Sequence, residues 1–449
     1  MVGWRHAATT LALVGALAGA QGAQAAAPVL VIDGAGDGHG VGMSQTGAAG
    51  LALHGYSARA ILAHYYTGTI VGRLASEHSI SVLLQSRLRS VVFSGATRAG
   101  VRRLIGDRTY IATSAGNGEI ALESDQGRLL SYLPAPLLIT SAIPIRFDGA
   151  ASTGVINGRY RGSLDLVLRG SRLDVINHLG LEAYLRGVVP AESPSNWPAA
   201  ELEAQAIVAR TYAVASPPQQ GFDVYADTRS QEYGGYDAEA PSTDAAVVAT
   251  TGEVVTYGGR PVVTYYFASS GGATEDVQNV FAGVAPEPYL TGVLDPYDAS
   301  RFGPITMSVG EADHRLRGLV QGTLEAIDVT RRGVSPRIVS AQLVGSAGTT
   351  TVSGTTLETA LGLQSTWDCF TLSSSLATVA SGWDRACARP TSLSHRPGST
   401  PSPTVGSTGG GAVAPRGNTG TTGSTGATGT PTSTGPTGST DGGAVGPSG

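Results

Sequence analysis

From about Pro390 to Gly449 the chain is built almost wholly of glycine, serine, threonine and proline. Such a segment has almost no apolar surface to bury, so it cannot offset the entropy lost on folding. It is expected to be a flexible tail. Its glycines recur irregularly, which excludes a collagen-like helix. A wall spacer, a glycosylated stalk and a plain linker all stay open for it. The other end also constrains the fold. Arg5 gives a short basic start, Ala7 to Ala20 is apolar but too short to span a membrane, and Ala23-Gln24-Ala25 puts small residues at cleavage positions. Residues 1–25 are expected to be a secretory signal peptide, with a buried N-terminal helix as the alternative. Folding then falls to the span from Pro28 to Arg389.

Only 14% of residues are Asp, Glu, Lys or Arg, and the net charge is −5. An acidic chain argues against nucleic acid as the main partner, because phosphate binding needs a basic face. No second apolar run is long enough for an integral membrane segment, so the mature chain is expected to be secreted, in the cell wall or extracellular. Two cysteines are too few for a disulfide-dense scaffold or a four-cysteine zinc module. Export to an oxidising compartment favours a Cys369–Cys387 bridge, with two unpaired thiols as the alternative.

The remaining span divides into pieces. In 28–76, Val29 to Ile32 is a short strand. Gly34-Ala-Gly36-Asp-Gly38-His-Gly40-Val-Gly42 follows, with glycine at every second position. This is neither a dinucleotide fingerprint nor a phosphate loop, which need a strand–glycine–helix frame or a lysine. Two helical patterns come next, Ser44 to His54 and Ala58 to Tyr66, the second with Ser57 as N-cap. The stretch 77–179 is β-rich. Alternating runs such as Ile80 to Leu84 and Leu164 to Leu168 are separated by turn residues, with Asn157-Gly158 and Arg169-Gly170 as hairpin turns. It shows no catalytic constellation and is expected to be a scaffold or binding insert. From Gly180 to residue 388 the chain forms a further unit. Trp197-Pro198 opens a helix that runs to Ala215 and stops at Pro217-Pro218. Strands are expected over Glu253 to Tyr257, Pro261 to Ala268, and from Leu324 to Leu363. Ser269 and Ser270 lack the G-x-S-x-G frame of a nucleophile and are read as a turn. The whole is expected to be α+β, with mixed and antiparallel sheets, short helices, a β-rich insert and a disordered tail over 389–449.

Several blocks together resemble the stage II sporulation protein D family. One is Gly38-His-Gly-Val-Gly-Met-Ser-Gln45, with Ile61-Leu-Ala-His-Tyr-Tyr-Thr-Gly68 after it. Another is Leu181-Glu-Ala-Tyr-Leu-Arg-Gly-Val-Val-Pro-Ala-Glu192, with Ala204-Gln-Ala-Ile-Val-Ala-Arg-Thr-Tyr212. Ser230-Gln-Glu-Tyr-Gly-Gly235 and Ser270-Gly-Gly-Ala-Thr-Glu275 complete the set. The family usually carries the Gly-His-Gly block after the Glu-bearing stretch. Here it comes first, which implies a circular permutation, tolerable where the chain ends lie close together. Some members bind zinc through Cys and His beside the Gln-x-Tyr block. Tyr225, Arg229 and Ser230 stand there instead, and His178 or His39 alone makes no site, so neither metal nor cofactor is expected.

The resemblance implies a protein acting on peptidoglycan glycan strands. It would be a lytic transglycosylase cutting the MurNAc–GlcNAc linkage, or a glycan-binding module that enhances a cell-wall amidase. Cleavage needs an acid to protonate the leaving oxygen. A hydrolase adds a second carboxylate; a lytic enzyme dispenses with it, because the sugar's own 6-hydroxyl attacks. Glu192 suits that acid/base role, since the apolar Val188-Val189-Pro190 before it would raise its pKa. A helix cap or surface ion pair is the alternative. Arg210 is expected to sit near a lactyl carboxylate or hydroxyl of the sugar as a bidentate donor, or else to pair with Glu203 or Glu182. Gln205 and Tyr212 would orient Glu192 or touch sugar, or pack in the core. His39, Ser44 and Gln45 are expected to line the groove, from a glycine-rich loop whose backbone can approach a ligand. Tyr233 is a candidate stacking platform.

Overall fold

The computed structural model describes residues 28–373 and 387–393. The expected signal peptide and the tail beyond residue 393 lie outside the described residues. The architecture is α+β, with mostly antiparallel sheets and short helices.

The chain starts with the strand Val29–Ala35, central in a three-stranded antiparallel sheet between Arg301–Ser308 and Asp368–Ser373. The first and last strands of the body are therefore neighbours, Val29 facing Ser373. The glycine-rich loop follows. Helix α1 (Gln45–Leu53) begins where the Ser44 hydroxyl accepts from the Gly47 amide, and α2 (Ala58–Tyr65) where the Ser57 hydroxyl accepts from Ala60. Both N-caps satisfy amides that no helical carbonyl reaches.

The alternation of glycine is a packing demand. Gly36, Gly38, Gly40 and Gly42 all hold positive φ. A side chain on Gly40 would run into Arg337, and one on Gly42 into the Tyr265 carbonyl. The backbone comes close to the protein's own groups there, not to an open ligand space.

The β-rich insert forms two sheets. A seven-stranded sheet runs in the order Val224–Tyr225, Ser79–Leu88, Arg172–Gly180, Ser163–Arg169, Leu137–Thr140, Arg98–Ala99, Arg102–Arg103. A six-stranded sheet, centred on Tyr110–Gly116 and Ser90–Ser94, shares its core through Phe93, Leu122 and Phe147. Alternation explains the burial: Ile80, Val82 and Leu84 face inward on one strand, Leu164 and Leu166 on its second neighbour. Arg169 pairs with Arg172 around Gly170, as expected for a tight hairpin. Asn157 instead sits at positive φ beside Gly149, and the turn itself closes between Ala151 and Val155.

Helix α3 (Leu181–Glu192) leaves directly from the strand Arg172–Gly180, and its Leu181, Tyr184, Leu185 and Val188 join the insert's core. Helix α4 (Ala199–Ala215) follows, with Pro198 as its N-cap. It is buried on nearly every side, as a helix central to two cores must be. Ala204, Ile207 and Val208 pack toward α1 and α2, while Leu202, Ala206, Ala209 and Ala213 face α3 and the insert. Helix α5 (Pro241–Ala249) covers the α3–α4 pair.

Three stretches differ from the sequence expectation. Between Pro261 and Ala268 only Arg260–Pro261 and Tyr266–Phe267 are strands. The Tyr265 carbonyl turns away to accept from the Met43 amide and the Tyr66 hydroxyl. The stretch after Ser353 is a helix, Gly354–Leu361, capped by the Ser353 hydroxyl and ended by left-handed Gly362; it buries Leu357 and Leu361 one turn apart. At the start of the expected tail, Arg389 donates to the Asp295 carbonyl and Leu393 packs near Trp367, so these residues belong to the body.

Two glycines separate backbone strain from close approach. Gly42 and Gly55 both have positive φ, but nothing lies within 4 Å of a Cβ on Gly55. Gly55→Ala is expected to cost about 1 kcal/mol and Gly42→Ala well above about 2 kcal/mol. Urea unfolding of the two variants measures the difference.

Candidate active site

Glu192 ends α3, where Pro190 leaves one amide donor missing from the last turn and the Ser193 amide closes on Val189. Its carboxyl is enclosed by other segments. Oε1 accepts from the Glu232 amide at 2.8 Å and from the Tyr266 hydroxyl at 3.0 Å. Behind Tyr266 runs a directed chain: Gln231 Nε2 donates to the Tyr266 oxygen at 2.9 Å, and the Tyr184 hydroxyl donates to Gln231 Oε1 at 3.2 Å. Oε2 is approached by Gln45 Nε2 at 3.4 Å; the same amide also donates to the Glu192 carbonyl at 3.2 Å. Two donors on Oε1 leave Oε2 as the oxygen that carries a proton.

Burial pushes the Glu192 carboxyl up to about 7. The Glu232 amide, Tyr266 and Gln45 oppose the shift, and the nearby Glu232 carboxylate reinforces it. Glu192 is thus poised to give and take a proton near neutrality.

Of the expected residues, Gln45 and Tyr212 come to this site. Tyr212 feels the Glu192 charge and lines a cavity of about 990 Å³. His39, Tyr265 and Phe281 line it too, with Glu358 from the helix Gly354–Leu361. Glu192 is not among the cavity's lining residues; Tyr212 and Ser230 bring the cavity toward it. His39 is buried against Tyr265, Phe267 and Phe281, and its Nδ1 accepts from the Val41 amide at 3.0 Å. Burial lowers its imidazole to about 3, Arg337 adding and the Tyr266 carbonyl opposing, so it is neutral.

The other expected residues lie elsewhere. Arg210 is fully buried and cannot reach a lactyl carboxylate. Its guanidinium grips Glu182 in two-pronged fashion, at 2.9 and 2.7 Å, and donates to the Glu253 carbonyl at 3.1 Å. Of the two pairings open to it in the sequence, Glu182 is the one formed. Tyr233 is 1% exposed, packed on Tyr160 and Tyr184, and donates to Asn177, so it offers no face for a sugar. Ser44 is also buried. It caps α1 and donates to Asp298, which makes it part of the frame instead of the groove. Gln205 is fully buried with neither end of its amide hydrogen-bonded, so it makes no hydrogen bond to Glu192. One turn earlier, Glu201 accepts from the Ser193 hydroxyl at 2.9 Å, and burial pushes it up to about 8.

Asp298 organises the frame. It accepts from the hydroxyls of Ser44, Thr46, Ser269, Ser270 and Ser300 and from the Ser270 amide at 2.6 Å. Burial would raise its carboxyl, but these donors hold it at about 2. Ser269 and Ser270 serve here as donors within a turn. Cys369 and Cys387 are joined as a disulfide. Tyr225, Arg229 and Ser230 form a stacked and hydrogen-bonded turn, Arg229 over the Tyr225 ring and paired with Asp227. No helix among the described residues is long and apolar enough to cross a membrane.

Residues 169–257 match the family model of the stage II sporulation protein SpoIID. That span holds Glu192, Arg210 and the Gln231 block; the Gly-His-Gly loop lies outside it. The chain is 38% identical over 163 residues to an uncharacterised protein of Brachyspira hyodysenteriae, covering 35% of this chain and 43% of that one. It is 35% identical over 129 residues to the amidase enhancer of Bacillus subtilis, covering 29% and 17%. It is 29% identical over 212 residues to stage II sporulation protein D of Bacillus amyloliquefaciens, covering 42% and 60%. The chain thus spans between 17% and 60% of the length of these relatives.

Sequence reasoning missed Glu232, Gln231, Tyr266 and Tyr184 as the surroundings of Glu192. The Ser230 to Gly235 block was the available signal for two of them, but it drew attention to Tyr233.

Two outcomes follow from these placements. Arg210→Lys is expected to lose about 3 kcal/mol of stability, at the low end for a broken buried pair because Glu182 stays partly hydrated. Urea unfolding tests this; lost glycan binding at unchanged stability would instead put Arg210 on the ligand. Glu201 has a raised folded-state pKa, so the folded state binds its proton more tightly than the unfolded one. Its contribution is present below about 4.5 and is lost as pH rises toward about 8. Glu201→Gln is expected to flatten the decline in stability across that window, read from melting temperatures against pH.

Proposed function

We propose that the chain is a cell-wall protein that cleaves peptidoglycan glycan strands lytically, with Glu192 as both acid and base. The observation that carries this is an enclosed carboxyl at about 7 whose two oxygens are differently furnished. Glu192 Oε2 gives its proton to the glycosidic oxygen between MurNAc and GlcNAc as the C1–O bond breaks. The 6-hydroxyl of the same MurNAc attacks C1, and the carboxylate takes the hydroxyl proton. The products are a 1,6-anhydro end and a free GlcNAc hydroxyl, with Glu192 protonated again. Tyr266, fixed by Gln231, holds Oε1 in place and steadies the carboxylate between the two steps. The names of the relatives support a role in the wall and in sporulation. The similarity to an amidase enhancer supports a second reading, in which the site binds glycan and a cell-wall amidase does the cutting. Export to the wall or medium is part of the same proposal.

The test is mass spectrometry of products from intact and peptide-stripped peptidoglycan, over a pH series. Wild type is expected to yield anhydro-ended fragments, with activity falling above about pH 7 as Glu192 loses its proton. Glu192→Gln should yield none, and Tyr266→Phe should be about tenfold slower, for one lost hydrogen bond. Reducing ends in place of anhydro ends would indicate a hydrolase and make Glu232 the second carboxylate. No product alongside retained glycan binding would favour the enhancer reading.

A further inference from the structure

The β-rich insert carries positive charge that its own fold leaves unmatched. Residues 77–179 hold 12 arginines against 8 carboxylates, in a chain whose net charge is −5. Three of these arginines form a row across the seven-stranded sheet. Arg169 faces Arg172 around the hairpin turn. Leu173 faces Leu88 in the next ladder, so the following residue outward on each strand brings Arg172 beside Arg89. Like charges on neighbouring strands repel and weaken a sheet. The fold relieves one of the three. Asp174 takes the Arg169 guanidinium at 3.4 Å, and its other oxygen accepts from the Arg87 amide at 2.9 Å. Arg89 and Arg172 have no ion pair and no side-chain hydrogen bond among the described residues.

These two arginines line one cleft of about 450 Å³. Arg89 is the link where the chain crosses from the strand Ser79–Leu88 of one sheet to Ser90–Ser94 of the other, and the next residue, Ser90, faces Thr113. The crossing puts Thr113 and Ser114 on the same cleft, and Ser171 joins them from the hairpin turn. No carboxylate and no aromatic ring is among the lining residues. Two guanidiniums with hydroxyls beside them and no competing acid make a donor-rich surface. It complements a phosphate, whose oxygens accept from several donors at once. The cleft is larger than one phosphate, which leaves room for the groups that a phosphodiester bridges. A nucleic acid matches it less well, because no ring is present on which a base would stack. We propose that this cleft binds the phosphodiester links of a polyol-phosphate polymer and so holds the insert on an anionic chain. The site shares no residue with the surroundings of Glu192, and it stands whatever reaction that carboxyl performs.

Calorimetric titration of the full chain at low salt tests it, with three probes: a short glycerol-phosphate oligomer, inorganic phosphate, and a thymidine oligonucleotide of matched charge. The glycerol-phosphate oligomer is expected to bind about tenfold tighter than either alternative. Arg89→Gln and Arg172→Gln should each weaken it about tenfold, for a lost charge-assisted contact. Arg103→Gln removes the same charge from the far edge strand Arg102–Arg103, where the residue is exposed and likewise unpaired among the described residues, and should leave the affinity unchanged. None of these arginines has a partner within the fold, so unchanged melting temperatures separate lost binding from misfolding. An equal loss in Arg103→Gln would reduce the effect to overall charge and overturn the site. Inorganic phosphate binding as tightly as the oligomer would overturn the polymer assignment. Equal or tighter binding of the oligonucleotide would give the cleft to nucleic acid instead, and no binding of the glycerol-phosphate oligomer would sink the proposal outright.

Discussion

Hydroxyl and amide groups from two distant stretches of the chain and from its own loop converge on the carboxylate of Asp298. Ser44 and Thr46 come from the start of α1, Ser269 and Ser270 from the turn after Tyr266–Phe267, and Ser300 from two residues along the loop of Asp298 itself. An ionised carboxylate survives out of water only when its lone pairs are met, and here they are. The same bonds fix where α1 begins. Ser44 is its cap and Gln45 its first residue, so pinning Ser44 delivers Gln45 to Glu192. They also hold the segment that carries Tyr266. Both groups that reach Glu192 from outside α3 and the Gln231 block are thus anchored on one buried charge.

Asp298 and Glu192 show how one physical cost gives opposite results. Burial presses on both. Asp298 is ringed by hydroxyls and an amide and stays charged; Glu192 has three donors, shares its surroundings with another carboxylate, and holds its proton toward neutrality. Donor count, more than depth, separates the structural carboxylate from the chemical one.

Local features of the sequence were legible because their physics is local. Ser44 and Ser57 announce helix starts, prolines bracket α4, and Gly170 marks a tight hairpin. Glu192 stood out through its block and its apolar approach. What escaped depends on distant partners. Arg337 and the Tyr265 carbonyl explain the glycine alternation, yet both lie more than two hundred residues from it. Nothing near Tyr233 foretells that Tyr160 and Tyr184 will enclose it, or that Gln231 beside it will brace Tyr266. Arg210 was an even choice between ligand and ion pair, and only the arrival of Glu182 across the α3–α4 packing decides it. The first and last strands lie side by side, which is the closeness of chain ends that a circular permutation of the Gly-His-Gly loop would require.

That adjacency has a mechanical consequence. Val29 pairs with Ser373 and Gly34 with Asp368, so the first strand enters and the last strand leaves at the same end of the sheet. A pull between them would peel hydrogen bonds one at a time, the weakest way to load a sheet. The Cys369–Cys387 bridge alters the path. Tension arriving from the chain beyond Cys387 crosses the sulfur link to Cys369, opposite Asp33. The load enters inside the paired strand instead of at its open end, where Arg332, donating to both the Asp368 carbonyl and the Cys387 sulfur, helps spread it into the neighbouring sheet.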